Sequence, residues 1–141
     1  MSGLDRAGAE LTIDLAAIRR NYWQLNARLD PDAELGAVVK ADAYGLGVSR
    51  IAPTLAQAGC KTYFVATLDE GIALRAAVED ATIYVPNGLV AKELEDFFIH
   101  RLRPVLNTMG QIERWYDKGQ VANKTSVSAA LHVDTGMNRL G

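Results

Sequence analysis

The chain has 141 residues, 49% of them apolar, and a net charge of −2, enough for one ordinary domain with a real core. Neither lysine nor arginine forms a run, which argues against a nucleic-acid or anionic-membrane partner, and no stretch of about eighteen consecutive apolar residues could span a bilayer. The N-terminal MSGLDRAGAE lacks the basic start and apolar core of a signal peptide, so a soluble cytoplasmic protein is expected. The single cysteine, Cys60, cannot form an internal disulfide and has no Cys or His at metal-ligand spacing; it reads as a half-buried filler, with no metal site.

Along residues 14–29, Leu15, Ile18, Tyr22, Leu25 and Leu29 recur at steps of three and four, which predicts a helix with Asp14 as its N-cap and Pro31 beyond its end. ELGAVVK, residues 34–40, has a short apolar core without strict alternation, which suits a strand covered on both faces. A glycine turn leads to VSRIAPTLAQAG, a helix ended by Gly59 whose first turn should begin, or kink, near Pro53. The alternation then repeats: KTYFVAT as strand, DEGIALRAAV as helix, TIYVP as strand, AKELEDFFI as helix. LRPVL, MGQIERWYDKG and SVSAALHVDT follow as strand, helix and strand.

Strand starts roughly twenty to twenty-seven residues apart match one strand, one helix and two short loops. This is a run of βα units, hence a parallel sheet with helices covering it. Two closures compete, an open doubly wound sheet or part of a (β/α)8 barrel. The chain ends at NRLG directly after a strand, which suggests truncation.

In both closures, sites form at the C-terminal ends of the strands, where VVKADAYGLG (38–47) places Lys40. A lysine amine becomes a nucleophile toward carbonyls when desolvation or nearby positive charge populates its neutral form. The flanking valines and the tight turn could supply such a pocket. Taken alone, however, a lysine finishing a strand is more often a solvated end. The hydroxyl of Tyr44 can donate to a phosphate oxygen, and Gly45 and Gly47 let backbone N–H groups approach an anion. GLG by itself is equally a plain strand-to-helix turn, because it lacks the third glycine of a dinucleotide fingerprint.

At the other end, in LHVDTGMNRLG (131–141), His132 and Asp134 lie two apart and should share one face of a strand. The planar fork of Arg139, just beyond, suits a carboxylate. With His100 far off in a helix end, neither a zinc site nor a Ser-His-Asp arrangement has support, and His132 reads as a hydrogen-bonded interior or rim residue.

Together these stretches carry a resemblance. VVKADAYGLG is similar to the pyridoxal-phosphate attachment motif of alanine racemases, and HVDTGMNRLG resembles the second signature of that family, in the same order. AELTIDLAAIRRNY (9–22) resembles the family's opening, so the likeness runs from about residue 10 onward. The resemblance implies a (β/α)8 barrel followed by a mostly β domain. Residues 1–9 would then be an N-terminal arm and residues 10–141 about the first five βα units of a truncated barrel. It implies interconversion of L- and D-alanine with pyridoxal 5′-phosphate, supplying D-alanine for peptidoglycan, in a cytoplasmic homodimer.

Carried over by position, Lys40 would hold the cofactor as a Schiff base and exchange the α-proton on one face. Tyr44 would hydrogen-bond the phosphate, and Arg139 would sit beside the cofactor to hold the substrate carboxylate. His132 departs from the pattern, because many members have a carbamylated lysine there that orients the arginine; another anion or a hydrogen bond from His132 would have to replace it. The family's opposite-face tyrosine, from the partner's C-terminal domain, and its pyridine-facing arginine fall outside these 141 residues. The fragment is therefore expected not to racemise alanine at a useful rate, and to self-associate through bare strand edges. The alternatives are another barrel enzyme or carrier of the same cofactor, such as a broad-specificity racemase, a basic amino-acid decarboxylase or a cofactor-homeostasis protein, and a non-catalytic cofactor-binding or pairing module.

Overall fold

The computed structural model describes residues 8–121 and 128–141. Helix α1 (Leu15–Asn26) starts where the sequence predicts, with Asp14 Oδ1 accepting the Ala17 N–H at 3.0 Å. It ends at Asn26 rather than running to Leu29. The N–H groups of Arg28 and Leu29 bond three residues back, to Leu25 and Asn26, and this tightened turn leaves both leucines exposed. Strand β1 (Ala37–Val38), helix α2 (Val48–Gln57), strand β2 (Thr62–Phe64), helix α3 (Leu68–Ala77) and strand β3 (Thr82–Val85) follow. A 3₁₀ turn at Ala91–Glu93 precedes helix α4 (Leu94–Ile99), then come β4 (Arg103–Leu106), helix α5 (Met109–Val121) and β5 (Ala130–Leu131). The first residues of the expected final strand, 126–127, and most of the expected N-terminal arm, residues 1–7, lie outside the described residues.

All four strand pairs are parallel, and the spatial order is β1-β2-β3-β4-β5. That order decides between the two closures. A doubly wound sheet reverses its strand order at a switch point, whereas a barrel adds each strand beside the last. The sheet is a partial (β/α)8 barrel, open after its fifth strand. α1 packs on α2 and α2 on α3, as expected when every crossover has the same hand.

The two sheet faces differ in chemistry. The helix-covered face carries Tyr63, Ile83, Val85, Pro104 and Leu106, all buried. On the concave face the register aligns Val38, Phe64, Tyr84 and Arg103 in one row. Phe64 stacks on Tyr84 at 5.2 Å between ring centres, and Arg103 Nη1 donates to the Tyr84 hydroxyl at 3.0 Å. Both faces are open at the edges: Val38, at the end of the concave row, is 52% exposed, and Leu131, on the same outward face as buried Leu106, is 65% exposed.

Pro53 neither starts nor kinks α2. The helix begins at Val48 and runs through the proline, because the missing N–H orphans only the carbonyl of Ser49, an exposed residue where water can serve. Beneath the sheet, Arg75 joins two loops, those before β3 and β4, through its guanidinium. Nε donates to the His100 carbonyl, Nη1 to those of Val78, Glu79 and Ala81, and Nη2 to that of Arg101. Among the described residues no helix is long and apolar enough to cross a membrane.

Candidate functional site at the C-terminal rim

Strand pairing on β1 ends with the Val39 N–H, which donates to the Phe64 carbonyl at 2.9 Å. The chain then does something that its composition does not suggest. Ala41, Asp42, Ala43 and Tyr44 have φ of 51°, 52°, 55° and 56°, so residues that would ordinarily wind right-handed form one turn of left-handed helix. The conformation costs an L-residue roughly 1–2 kcal/mol, hence roughly 4–8 kcal/mol over four residues, and it survives only where neighbours over-determine it. Gly45 (φ 81°) and Gly47 (φ 90°) continue the positive region where glycine is favoured, and their N–H groups bond back to Ala41 and Asp42 at 2.8 and 2.9 Å.

Two carboxylates complete the restraint. Asp42 Oδ1 accepts the Val48 N–H at 2.7 Å and so joins the turn to the start of α2. Glu70, the third residue of α3, reciprocates a capping box with Thr67. Its Oε2 accepts the Ala66 and Thr67 N–H groups, while its Oε1 accepts the Ala41 N–H at 2.8 Å. Burial works to raise the Glu70 pKa, but the N–H groups of Ala66, Ala41 and Thr67, with the charge of Lys40, hold it below the usual value. A carboxyl so depressed stabilises the fold above its ordinary pKa of 4.5, and that contribution is lost as pH falls through the lower folded value. Accordingly, the Ala41 amide should stay protected from hydrogen exchange at neutral pH and lose protection in an acid titration before the α3 amides do. Simultaneous loss along both segments would contradict this account.

Lys40 stands at the head of the turn with its side chain exposed, and its ammonium lies 5.9 Å from the ring centre of Tyr44, which is 62% exposed. The apolar pocket expected from the two valines does not enclose the amine. Val39 is buried at 3% exposure, but Val38 faces the open concavity.

The second cluster lies at the same rim, after β4 and β5. Asn107, 9% exposed, donates from Nδ2 to the Pro86 carbonyl at 3.2 Å, and its backbone N–H donates to Gln111 Oε1 at 2.7 Å. Its Oδ1 is thus left to face His132 Nδ1 at 2.9 Å, which makes Nδ1 the protonated nitrogen and leaves Nε2 for a further partner. His132 is therefore a hydrogen-bonded rim residue, as the sequence suggests.

Asp134 does not share a strand face with it, because β5 stops at Leu131. Instead Asp134 folds the following loop, accepting the Gly136 N–H at 2.8 Å and the Arg139 N–H at 3.2 Å. Backbone N–H groups, first those of Gly136 and Asn138, outweigh burial and lower the Asp134 pKa. The side chain of Arg139 borders an open cleft of about 700 Å³ shared with Asn87, Asn107 and Gly141. Lys40 and Tyr44 are thus brought together, Arg139 joins the Asn107 group, and the two sets occupy opposite edges of the five-stranded sheet. Among the described residues no group of His, Cys, Asp and Glu could hold a metal ion.

Compared with known proteins, residues 13–141 match the family described as alanine racemase, N-terminal domain. The chain belongs to the alanine racemase family. It is 45% identical over 141 residues to an alanine racemase of Methylobacterium nodulans, covering 100% of this chain and 38% of that one. It is 47% identical over 136 residues to one of Brucella suis, covering 96% and 34%. Among solved structures, an alanine racemase from Bartonella henselae with covalently bound pyridoxal phosphate superposes with a TM-score of 0.85 at 44% identity, covering 92% of this chain and 37% of that one. An alanine racemase from E. faecalis gives 0.81 at 30% identity, covering 92% and 35%. The chain therefore spans little more than a third of the length of these alanine racemases.

Sequence reasoning singles out Lys40, Tyr44 and Arg139 but passes over Asp42, Glu70 and Asn107. For Glu70 a signal exists: TLDE after an apolar strand is a capping-box pattern. Nothing local marks Asn107, whose partners are Pro86 in the loop after β3, Gln111 in α5 and His132 just beyond β5.

Proposed function

We propose that residues 10–141 are the cofactor-anchoring part of a barrel domain in an enzyme that interconverts L- and D-alanine with pyridoxal 5′-phosphate. The observation that carries this reading is the family match over residues 13–141 combined with an accessible lysine at the end of β1. The donor set fits the cofactor. The amine of Lys40 can meet an aldehyde, and the carboxylate beside it, Glu70, is committed to backbone N–H groups. The exposed Tyr44 hydroxyl can donate to a phosphate oxygen. When bound, the cofactor supplies a carbonyl carbon for covalent capture and a ring that accepts electron density from the substrate α-carbon.

The chain's own residues do the rest. Lys40 Nζ anchors the cofactor and then takes or returns the α-proton on the face that it occupies. Tyr44 fixes the phosphate end, and the Arg139 guanidinium takes the substrate carboxylate through its fork. Racemisation also needs a proton-transfer group on the other face, which we assign to the part of the family's length that these residues do not span. We further infer that the complete enzyme works as a cytoplasmic homodimer and supplies D-alanine for peptidoglycan.

The test is chiral analysis of alanine incubated with pyridoxal 5′-phosphate and the gene product at the length of its relatives, beside a panel of other amino acids and an assay for released CO2. Equilibration from either enantiomer is expected, with no turnover by the 141-residue chain alone. Decarboxylation, or turnover of basic amino acids without alanine, would overturn the substrate assignment.

A further inference from the structure

We propose that Glu70 is a positioning residue for Lys40, acting through the Ala41 amide; the inference rests on the reading of Lys40 given above. Three observations meet on it. The first is the turn, which directly follows Lys40 and runs against the handedness that its residues prefer, so some non-local contact must hold it. The second is the contact available: Ala41, the first left-handed residue, gives its N–H to Glu70 Oε1 at 2.8 Å across a gap of 29 residues.

The third is the anchoring of the carboxylate itself. Glu70 Oε2 is held by Ala66 and Thr67 at the end of the neighbouring strand unit, and the side chain belongs to the capping box of an α3 whose Leu68 and Leu74 are buried in the core. A carboxylate gripped on three sides by backbone N–H groups moves little. The path from core to amine is therefore short: α3, Glu70, the Ala41 amide, then Lys40.

The neighbouring restraint is of a different kind. Asp42 ties the far side of the turn to α2 and leaves the Lys40–Ala41 peptide untouched. Glu70 grips the peptide that immediately follows the lysine. Removing the carboxylate should let that peptide relax toward right-handed conformations and swing the Lys40 side chain off the rim, while the strands and helices stay in place.

The experiment compares wild type, Glu70→Ala and Glu70→Gln by two readouts. One is hydrogen exchange at the Ala41 amide relative to amides of β2 and β3. The other is the rate of borohydride-fixed labelling by pyridoxal 5′-phosphate at Lys40, mapped by mass spectrometry against Lys61, Lys92 and Lys118 of the same chain. In Glu70→Ala the Ala41 amide should lose its protection and Lys40 labelling should slow about tenfold or more, as for loss of one charge-assisted hydrogen bond, with the other lysines unchanged. Glu70→Gln keeps one acceptor oxygen and should fall between. Ala41 exchange and Lys40 labelling within about twofold of wild type in Glu70→Ala would overturn the proposal. If Glu70→Ala unfolds, the same comparison on Glu70→Gln decides it. Wild-type Lys40 labelling no faster than Lys61 would instead count against the cofactor reading, and the Ala41 exchange would then decide the Glu70 clamp alone.

Discussion

Lys40→Ala is expected to abolish the covalent, borohydride-fixable adduct of pyridoxal 5′-phosphate on the peptide that spans the end of β1, while Lys61, Lys92 and Lys118 keep their background labelling. Lys40→Arg should fail equally, although it preserves charge, because a guanidinium stays protonated and cannot condense with an aldehyde. At the length of its relatives, the alanine variant should lose about 10²- to 10⁴-fold in turnover from proton transfer alone, before any loss of cofactor is counted. Adduct yield at wild-type level on a different lysine would show that the end of β1 is not the anchor.

Phe97→Ala is expected to be the most damaging single change to the fold. Phe97 is 0% exposed and meets Trp115 edge-on at 6.4 Å, while Phe98 stacks on the same indole at 4.5 Å, so one aromatic group joins α4 to α5. Truncating a buried phenylalanine typically removes about 3–5 kcal/mol, a large share of the roughly 5–15 kcal/mol that stabilises an ordinary domain. Urea unfolding followed by tryptophan fluorescence should show a much lower midpoint with little change in slope. A midpoint close to wild type would mean that the α4–α5 layer unfolds separately from the sheet.

Much of this architecture is legible in the sequence because it rests on local signals. Asp14 caps α1 where an Asx residue precedes a helical apolar period, and each βα unit announces itself by a short apolar run followed by an amphipathic one. The barrel order was not legible in those local signals, which both closures share; the family resemblance implied it, and the spatial order of β1 to β5 bears it out. The Lys40 turn could not be read either. Ala41, Ala43 and Tyr44 carry no preference for positive φ and Asp42 only a mild one, and one of the two carboxylates that restrain the turn belongs to another unit. Likewise the expectation that His132 and Asp134 share one strand face assumed a longer β5, whereas His132 turns to Asn107 and Asp134 to its own loop.

The separation of Ala41 from Glu70 also bears on the order in which the molecule assembles. A left-handed turn of ordinary residues has no tendency to nucleate by itself, and its external restraint becomes available only once β2 has paired with β1 and the cap of α3 has closed. The lysine at the end of the first strand is therefore set in place by the second βα unit, and that stretch of rim acquires its shape late on the folding path.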